Sequence, residues 1–68
     1  MINEEYKIKG WVARDSDGSL NIHQEKPSRW SIYFWLFEGG YFHIDKNTFP
    51  ELAWEDEPIE VELTIKKI

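Results

Sequence analysis

Ile59-Glu60-Val61-Glu62-Leu63-Thr64-Ile65-Lys66 alternates apolar and polar residues from end to end. Successive side chains of an extended strand point to opposite faces. The stretch therefore predicts a strand with Ile59, Val61, Leu63 and Ile65 inward and Glu60, Glu62, Thr64 and Lys66 in water. A strand with one wet face belongs in an antiparallel sheet. The same period recurs from Tyr6 to Ala13. Tyr6, Ile8 and Val12 share one face; Lys7, Lys9, Trp11 and Ala13 share the other, with Trp11 the exception on the more polar side. Gly10 inside this run predicts a bulge or a close approach of another backbone. Asp15-Ser16-Asp17-Gly18 is a hairpin signal, because Asp tolerates left-handed backbone and Gly favours it. Leu20 and Ile22 then resume the alternation, with Asn21 and His23 facing outward. The first two strands are expected to form an antiparallel hairpin.

Between these ends the pattern changes. Glu25-Lys26-Pro27-Ser28-Arg29 is a polar connection, and Pro27 has no N–H to give to a ladder. Trp30 to Phe37 is apolar or aromatic on both faces: Ile32, Phe34 and Leu36 on one, Tyr33, Trp35 and Phe37 on the other. A sheet with one wet face does not need this. Such a strand is either covered on both sides or keeps one face for a partner. Glu38-Gly39-Gly40 predicts a tight turn and Tyr41 to Ile44 a fourth strand. Thr48 and Glu51 have capping-box spacing, and Pro50 is tolerated in a first turn. One or two helical turns are expected over Phe49 to Trp54, packed by Phe49, Leu52 and Ala53 and ended by Glu55-Asp56-Glu57-Pro58. The fold class expected is mainly β. It is a single domain over residues 1–68, built as a small five-stranded antiparallel sheet, twisted or barrel-like, with one short helical turn between strands four and five.

Composition narrows the function classes. A chain of 68 residues buries only roughly 60% of the surface its unfolded form exposes. With no cysteine, disulfides, thiolate metal sites and thiol nucleophiles are excluded. Four Trp, four Phe and three Tyr supply the burial instead, each removing about 150–250 Å² from water. A net charge of −5 and a pI of 4.9 disfavour a general nucleic-acid binder, since phosphate backbones would repel the chain. The longest apolar stretch, Ile32 to Phe37, is too short to span a bilayer. Met1 to Glu5 is acidic with no hydrophobic run. No signal peptide and no membrane partner are expected, and the expected location is the cytoplasm.

Gly10-Trp11-Val12-Ala13-Arg14-Asp15, Asp17-Gly18-Ser19-Leu20, Glu25-Lys26-Pro27, and Phe49-Pro50 followed by Trp54-Glu55-Asp56-Glu57-Pro58-Ile59-Glu60-Val61-Glu62-Leu63 occur in this order. In them the chain resembles a family of short uncharacterised proteins of Bacteroides-type gut bacteria and their phages. Ser28 to Ile44 lies outside the resemblance. What the resemblance implies is a mobile-element context; it assigns no catalytic or binding residue.

Each candidate site has a plainer counterpart. Asp15-Ser16-Asp17-Gly18 suggests a calcium loop, but an EF-hand needs ligands where Ala13 and Gln24 stand, so the turn reading prevails. His23 and His43, with Asp45, would make a metal or proton-transfer site if their strands met; a solvated His on a polar strand face is the alternative. No Ser-His-Asp or paired-carboxylate pattern has supporting context, so no catalytic residue, metal or cofactor is expected. Glu51, Glu55, Asp56, Glu57, Glu60 and Glu62 read either as a solvated face that keeps the chain soluble or as a docking surface for a basic partner. Trp11, Trp30, Tyr33, Trp35, Phe37 and Tyr41 read as core, stacking platform or interface. A stacking platform needs a basic groove that this charge balance does not favour. Tyr and Trp are preferred interface anchors, which puts a partner surface at Tyr33, Trp35 and Phe37. The function expected is a small non-catalytic protein-interaction module that self-associates through aromatic residues as a homodimer. The alternative is an acidic phage-type accessory or decoy that binds a basic nucleic-acid-handling partner through Glu55, Asp56 and Glu57.

Overall fold

The strands expected at both ends of the chain form, and they assemble around the first of them. A computed structural model of the chain describes residues 4–29, 35–36 and 39–68. In chain order the elements are β1 (Glu5–Arg14), β2 (Leu20–His23), β3 (Ser28–Arg29), β4 (Trp35–Leu36), β5 (Tyr41–Ile44) and β6 (Ile59–Lys66). Four of them make one antiparallel sheet in the order β5-β2-β1-β6, and β3 and β4 form a separate two-stranded ladder. Among the described residues no helix is long and apolar enough to cross a membrane.

The register explains the shape of the sheet. β1 pairs with β6 from Glu5↔Lys66 to Val12↔Ile59. It pairs with β2 only from Trp11↔His23 to Arg14↔Leu20. β2 in turn pairs with β5 from Leu20↔Ile44 to His23↔Tyr41. Four strands therefore lie side by side only at the Val12 end. Glu5–Gly10 and Val61–Lys66 continue beyond them as a two-stranded ribbon. The β1–β2 connection is the expected hairpin. Gly18 N–H donates to Asp15 O, Asp15 N–H donates to Ser19 O, both at 2.9 Å, and Gly18 takes a φ of 92°. Asp17 Oδ1 secures the turn by accepting from Ser19 N–H and Ser19 Oγ–H. Gly10 makes no bulge. The pairing runs one-to-one through it, and a Cβ there would meet Leu63 Cδ1 at 2.7 Å and His23 O and Ile22 Cγ2 at 3.3 Å.

One face of the sheet carries the core at the Val12 end. Val12, Leu20 and Leu52 form it, with Ile22, Ile44, Ile59 and Val61 packed against it. On the other face Ala13, Asn21 and His23 are buried, and Lys26 lies 5.3 Å from the Trp11 ring centroid.

Residues 45–58 correct the sequence reading: among the described residues they hold turns and no helix. Thr48 N–H donates to Asp45 O, Leu52 N–H to Phe49 O and Asp56 N–H to Ala53 O, three separate reversals in place of a continuous helical ladder. The cause is Arg14, which ends β1 and is only 9% exposed. Its Nε donates to Leu52 O at 2.7 Å. Nη1 donates to Gly18 O at 2.9 Å and Lys46 O at 2.8 Å. Nη2 donates to Thr48 O at 3.3 Å and Phe49 O at 3.1 Å. All the donors of a guanidinium are thereby used. Four loop carbonyls aim at one point, which a helix cannot arrange because its carbonyls run parallel to its axis. Phe49 takes a left-handed φ of 49° to reach this geometry, a conformation that costs a non-glycine residue about 1–2 kcal/mol. A second arginine holds the end of the loop. Arg29 Nη2 donates to Trp54 O at 2.7 Å and Asp56 O at 3.1 Å, and its Cζ sits 4.0 Å from the Trp35 centroid and 4.2 Å from that of Trp54.

The single five-stranded sheet is likewise corrected to four strands plus a short ladder. Of the expected third strand, Trp30 to Phe37, only Trp35 and Leu36 fall among the described residues, and they pair with β3 rather than with the main sheet.

Candidate functional site

The register places Tyr6, Ile8, Gly10, Val12 and Arg14 of β1 on one face with Ile59, Val61, Leu63 and Ile65 of β6, Leu20 and Ile22 of β2, and Phe42 and Ile44 of β5. Arg14 is the only charged side chain in that set, and the loop encloses it. Leu52 covers the face at Val12 and Leu20. Toward the ribbon the covering stops. Tyr6 is 64% exposed, Ile65 60%, Phe42 55% and Ile8 38%. At about 150–250 Å² for a fully exposed aromatic side chain, the open face amounts to roughly 500 Å², near the upper end for a lone soluble domain.

The face is not flat. Where β2 and β5 end and the ribbon goes on there is a step, and beside it lies a concavity of about 360 Å³ lined by Ile8, Gly10, Ile22, Phe42 and Leu63, with Lys9, His23, Gln24 and Tyr41 also contributing to its wall. The floor at Gly10 is filled from the sides, because Leu63 and Ile22 already press on the space a Cβ would take. Gln24 Oε1 accepts from Gly40 N–H at 3.2 Å and closes the far rim. The exposed lining of the hollow is mostly apolar and suits a hydrocarbon or aromatic group.

The opposite face of the ribbon takes the charge. Lys9 Nζ lies 3.9 Å from Glu60 Oε1, and Lys7 Nζ 4.0 Å from Glu62 and 3.6 Å from Glu5. All these groups are well exposed, so each pair contributes little to stability. Their consequence is placement: the ribbon has one charged face and one bare apolar face.

The residues singled out from sequence fall in several places. Trp35 is 4% exposed. Its Nε1–H donates to Arg14 O at 2.9 Å, and its ring meets Trp54 edge-on at 5.5 Å. It is therefore an interior side chain rather than a surface anchor, drawn inward by the same arginine pair that shapes the loop. Tyr33 and Phe37 lie outside the described residues. Glu55, Asp56 and Glu57 are exposed, and Asp56 Oδ2 is occupied by Ala53 N–H at 2.8 Å. His23 and His43 share a face, but the Tyr41 ring stands beside each, 5.7 Å from His23 and 6.2 Å from His43. His23 is 2% exposed, and burial lowers its pKa below 6.5 against an opposing pull from Asp15. Asp15 and Asp17 spend their carboxylates on Ser19 and Asn21. Among the described residues no group of three metal-ligating side chains converges.

Sequence reasoning missed the open face as a site, although its members were visible. Alternation marks Tyr6 and Ile8, and Val61, Leu63 and Ile65, as sharing a face of their strands without fixing how much of that face is covered. Comparison with protein-family models, with curated proteins and with solved structures finds no match to this chain.

Proposed function

We propose that the chain is a small, non-catalytic protein-interaction module that binds through the uncharged face bearing Tyr6, Ile8, Phe42, Leu63 and Ile65. The observation that carries this reading is the uneven covering of one sheet face: sealed at Val12 by Leu52, open at Ile8 and Tyr6. A two-stranded ribbon is at best marginally stable in water on its own. Projecting such a ribbon with its apolar side uncovered is costly for the lone chain and useful to one that docks. The acidic loop supports the decoy alternative less. Asp56 is committed to the loop's own backbone, and exposed carboxylates need no partner.

Site-specific photocrosslinking in producing cells tests the reading. A benzophenone amino acid replacing Tyr6 is expected to give discrete protein adducts, and the same group at Thr64, on the charged face of the ribbon, few. Equal adduct yields at the two positions would reject the face as a docking surface.

A further inference from the structure

We infer that the free edge of β1, from Glu5 to Lys9, takes an extended segment of a partner protein as an added antiparallel strand, one that alternates acidic and apolar residues; the inference rests on the interaction-module reading above and names the form the partner takes. Hydrogen bonding is the first argument. Lys67 N–H donates to Glu4 O at 2.8 Å, so the even-numbered residues of β1 turn their peptide groups toward β6 and the odd-numbered ones turn theirs away. Asp15 N–H donates to Ser19 O, which sets the odd-numbered residues toward the β2 side. Pairing with β2 nevertheless stops at Trp11↔His23. The N–H and C=O groups of Glu5, Lys7 and Lys9 therefore line an edge that no strand among the described residues occupies. A row of this kind selects an extended backbone as its occupant.

Space is the second argument. The concavity of about 360 Å³ lies where β2 would continue, walled by Lys9 and Gly10 of β1, by His23 and Gln24 at the end of β2, and by Gly40 and Tyr41 at the start of β5. A strand in line with β2 enters an opening that is already present. Charge is the third argument. Cross-strand neighbours share a face, so residues opposite Lys7 and Lys9 stand beside their ammonium groups, and the residue between them stands beside Ile8 on the apolar face. The two lysine side chains are 56% and 79% exposed. β6 already presents the matching pattern to the other edge of β1. Glu62 is opposite Lys9, Lys9 Nζ lies 3.9 Å from Glu60 and Lys7 Nζ 4.0 Å from Glu62, and Val61 and Leu63 alternate with these carboxylates. The outer edge of β6 is open as well, but Glu60 and Glu62 repel an acidic segment there. Exposed charges of this kind choose between partners more than they add affinity.

Nuclear magnetic resonance of the full, isotope-labelled chain tests the inference. The probe is the blocked peptide Val-Glu-Val-Glu-Val-Thr-Val, which sets a Glu opposite each of Lys9 and Lys7 and Thr opposite Glu5, titrated into the millimolar range. In the chain alone the Lys7 and Lys9 amides should exchange freely. Saturating peptide should slow both by at least about ten-fold and leave the β1–β6 ladder as it was. In an antiparallel pair the residues opposite Lys7 and Lys9 exchange both hydrogen bonds with them, and these are the Glu residues of the peptide. N-Methylation of the Glu residues should therefore abolish the effect, whereas N-methylation of the Val residues flanking the second Glu should preserve it. Lys in place of each Glu should weaken binding by at least about ten-fold, since like charges would then stand opposite. Lys7→Pro removes an N–H that no ladder uses, so circular dichroism should show the fold retained while binding is lost. Lys7 and Lys9 amides already protected in the chain alone overturn the inference. So do an absence of slowing at the highest concentration, equal loss from the two N-methylated peptides, and binding that survives Lys7→Pro. In any of these cases discrete adducts from position 6 leave the interaction-module reading standing, with a partner that lies on the face; equal adduct yields at positions 6 and 64 remove both.

Discussion

Replacing Arg14 with Met removes every guanidinium donor while keeping an unbranched apolar stem of similar length. Five carbonyls lose their partner: Gly18, Lys46, Thr48, Phe49 and Leu52. A hydrogen bond to a charged group contributes about 1.5–3 kcal/mol net. The sum of five would overstate the cost, because Lys46, Thr48 and Phe49 sit at exposed positions where water can replace the arginine. Leu52 O has no such recourse beside a side chain that is 6% exposed. We therefore expect Arg14→Met to cost about 3–5 kcal/mol. A chain of this length has only about 3–10 kcal/mol of total stability at typical per-residue values. The urea midpoint should fall by about 3–5 M for a slope near 1 kcal/mol/M. Arg14→Lys keeps the charge but offers three donors on a single point, and should lie between the two. Hydrogen exchange separates local from global loss: the Thr48, Leu52 and Asp56 amides, which close the loop's three turns, should lose protection before those of β2. A midpoint for Arg14→Met within about 0.5 M of the parent would refute the clamp as the organiser of the loop.

Two further outcomes follow from buried groups. His23 resists protonation when folded because burial lowers its pKa below 6.5. The unfolded chain takes up that proton as pH drops through about 6.5, so stability should decline from pH 7 downward and level off once the folded side chain also titrates. Thermal melts of His23→Gln should show a flatter profile across pH 7 to 5; parallel profiles would argue against His23 as the acid-sensitive group. Asp17, held below 3.8 mainly by the Ser19 hydroxyl, loses its own contribution only at lower pH. Gly10→Ala places a methyl 2.7 Å from Leu63 Cδ1 and 3.3 Å from His23 O. Leu63 can give way but the carbonyl cannot, and we expect a loss of about 1–3 kcal/mol in chemical unfolding.

The parts of the fold that were legible in the sequence are those set by local chemistry. Alternation marked β1, β2 and β6, the Glu38-Gly39-Gly40 turn signal marked β5 as the strand after it, and Asp17-Gly18 marked the hairpin because Gly18 needs its φ of 92°. The loop was misread for an equally physical reason. Thr48 and Glu51 have the spacing of a helix start, but that signal assumes the carbonyls are free to point along an axis. Arg14, more than thirty residues earlier in the chain, takes them first, and no local window contains that fact. Trp35 was read as an anchor because it shares a run with other rings; its position depends on Arg14 O and on Trp54, both distant in sequence. The open face was legible in its members and not in its exposure. Which residues of β1 lie beyond the reach of β2 is decided by register, a property of pairs of strands.

The way Arg14 holds residues 46–52 also bears on how this loop can vary. Its contacts there are with peptide oxygens, which every amino acid possesses. Side chains at Lys46, Asn47, Thr48 and Glu51 make none of these contacts, so they can be exchanged for others that keep a backbone N–H while Arg14, the Asp45 acceptor and the left-handed Phe49 hold the path. The segment is in effect a presentation platform whose shape is encoded elsewhere, and foreign side chains installed there would inherit a fixed backbone.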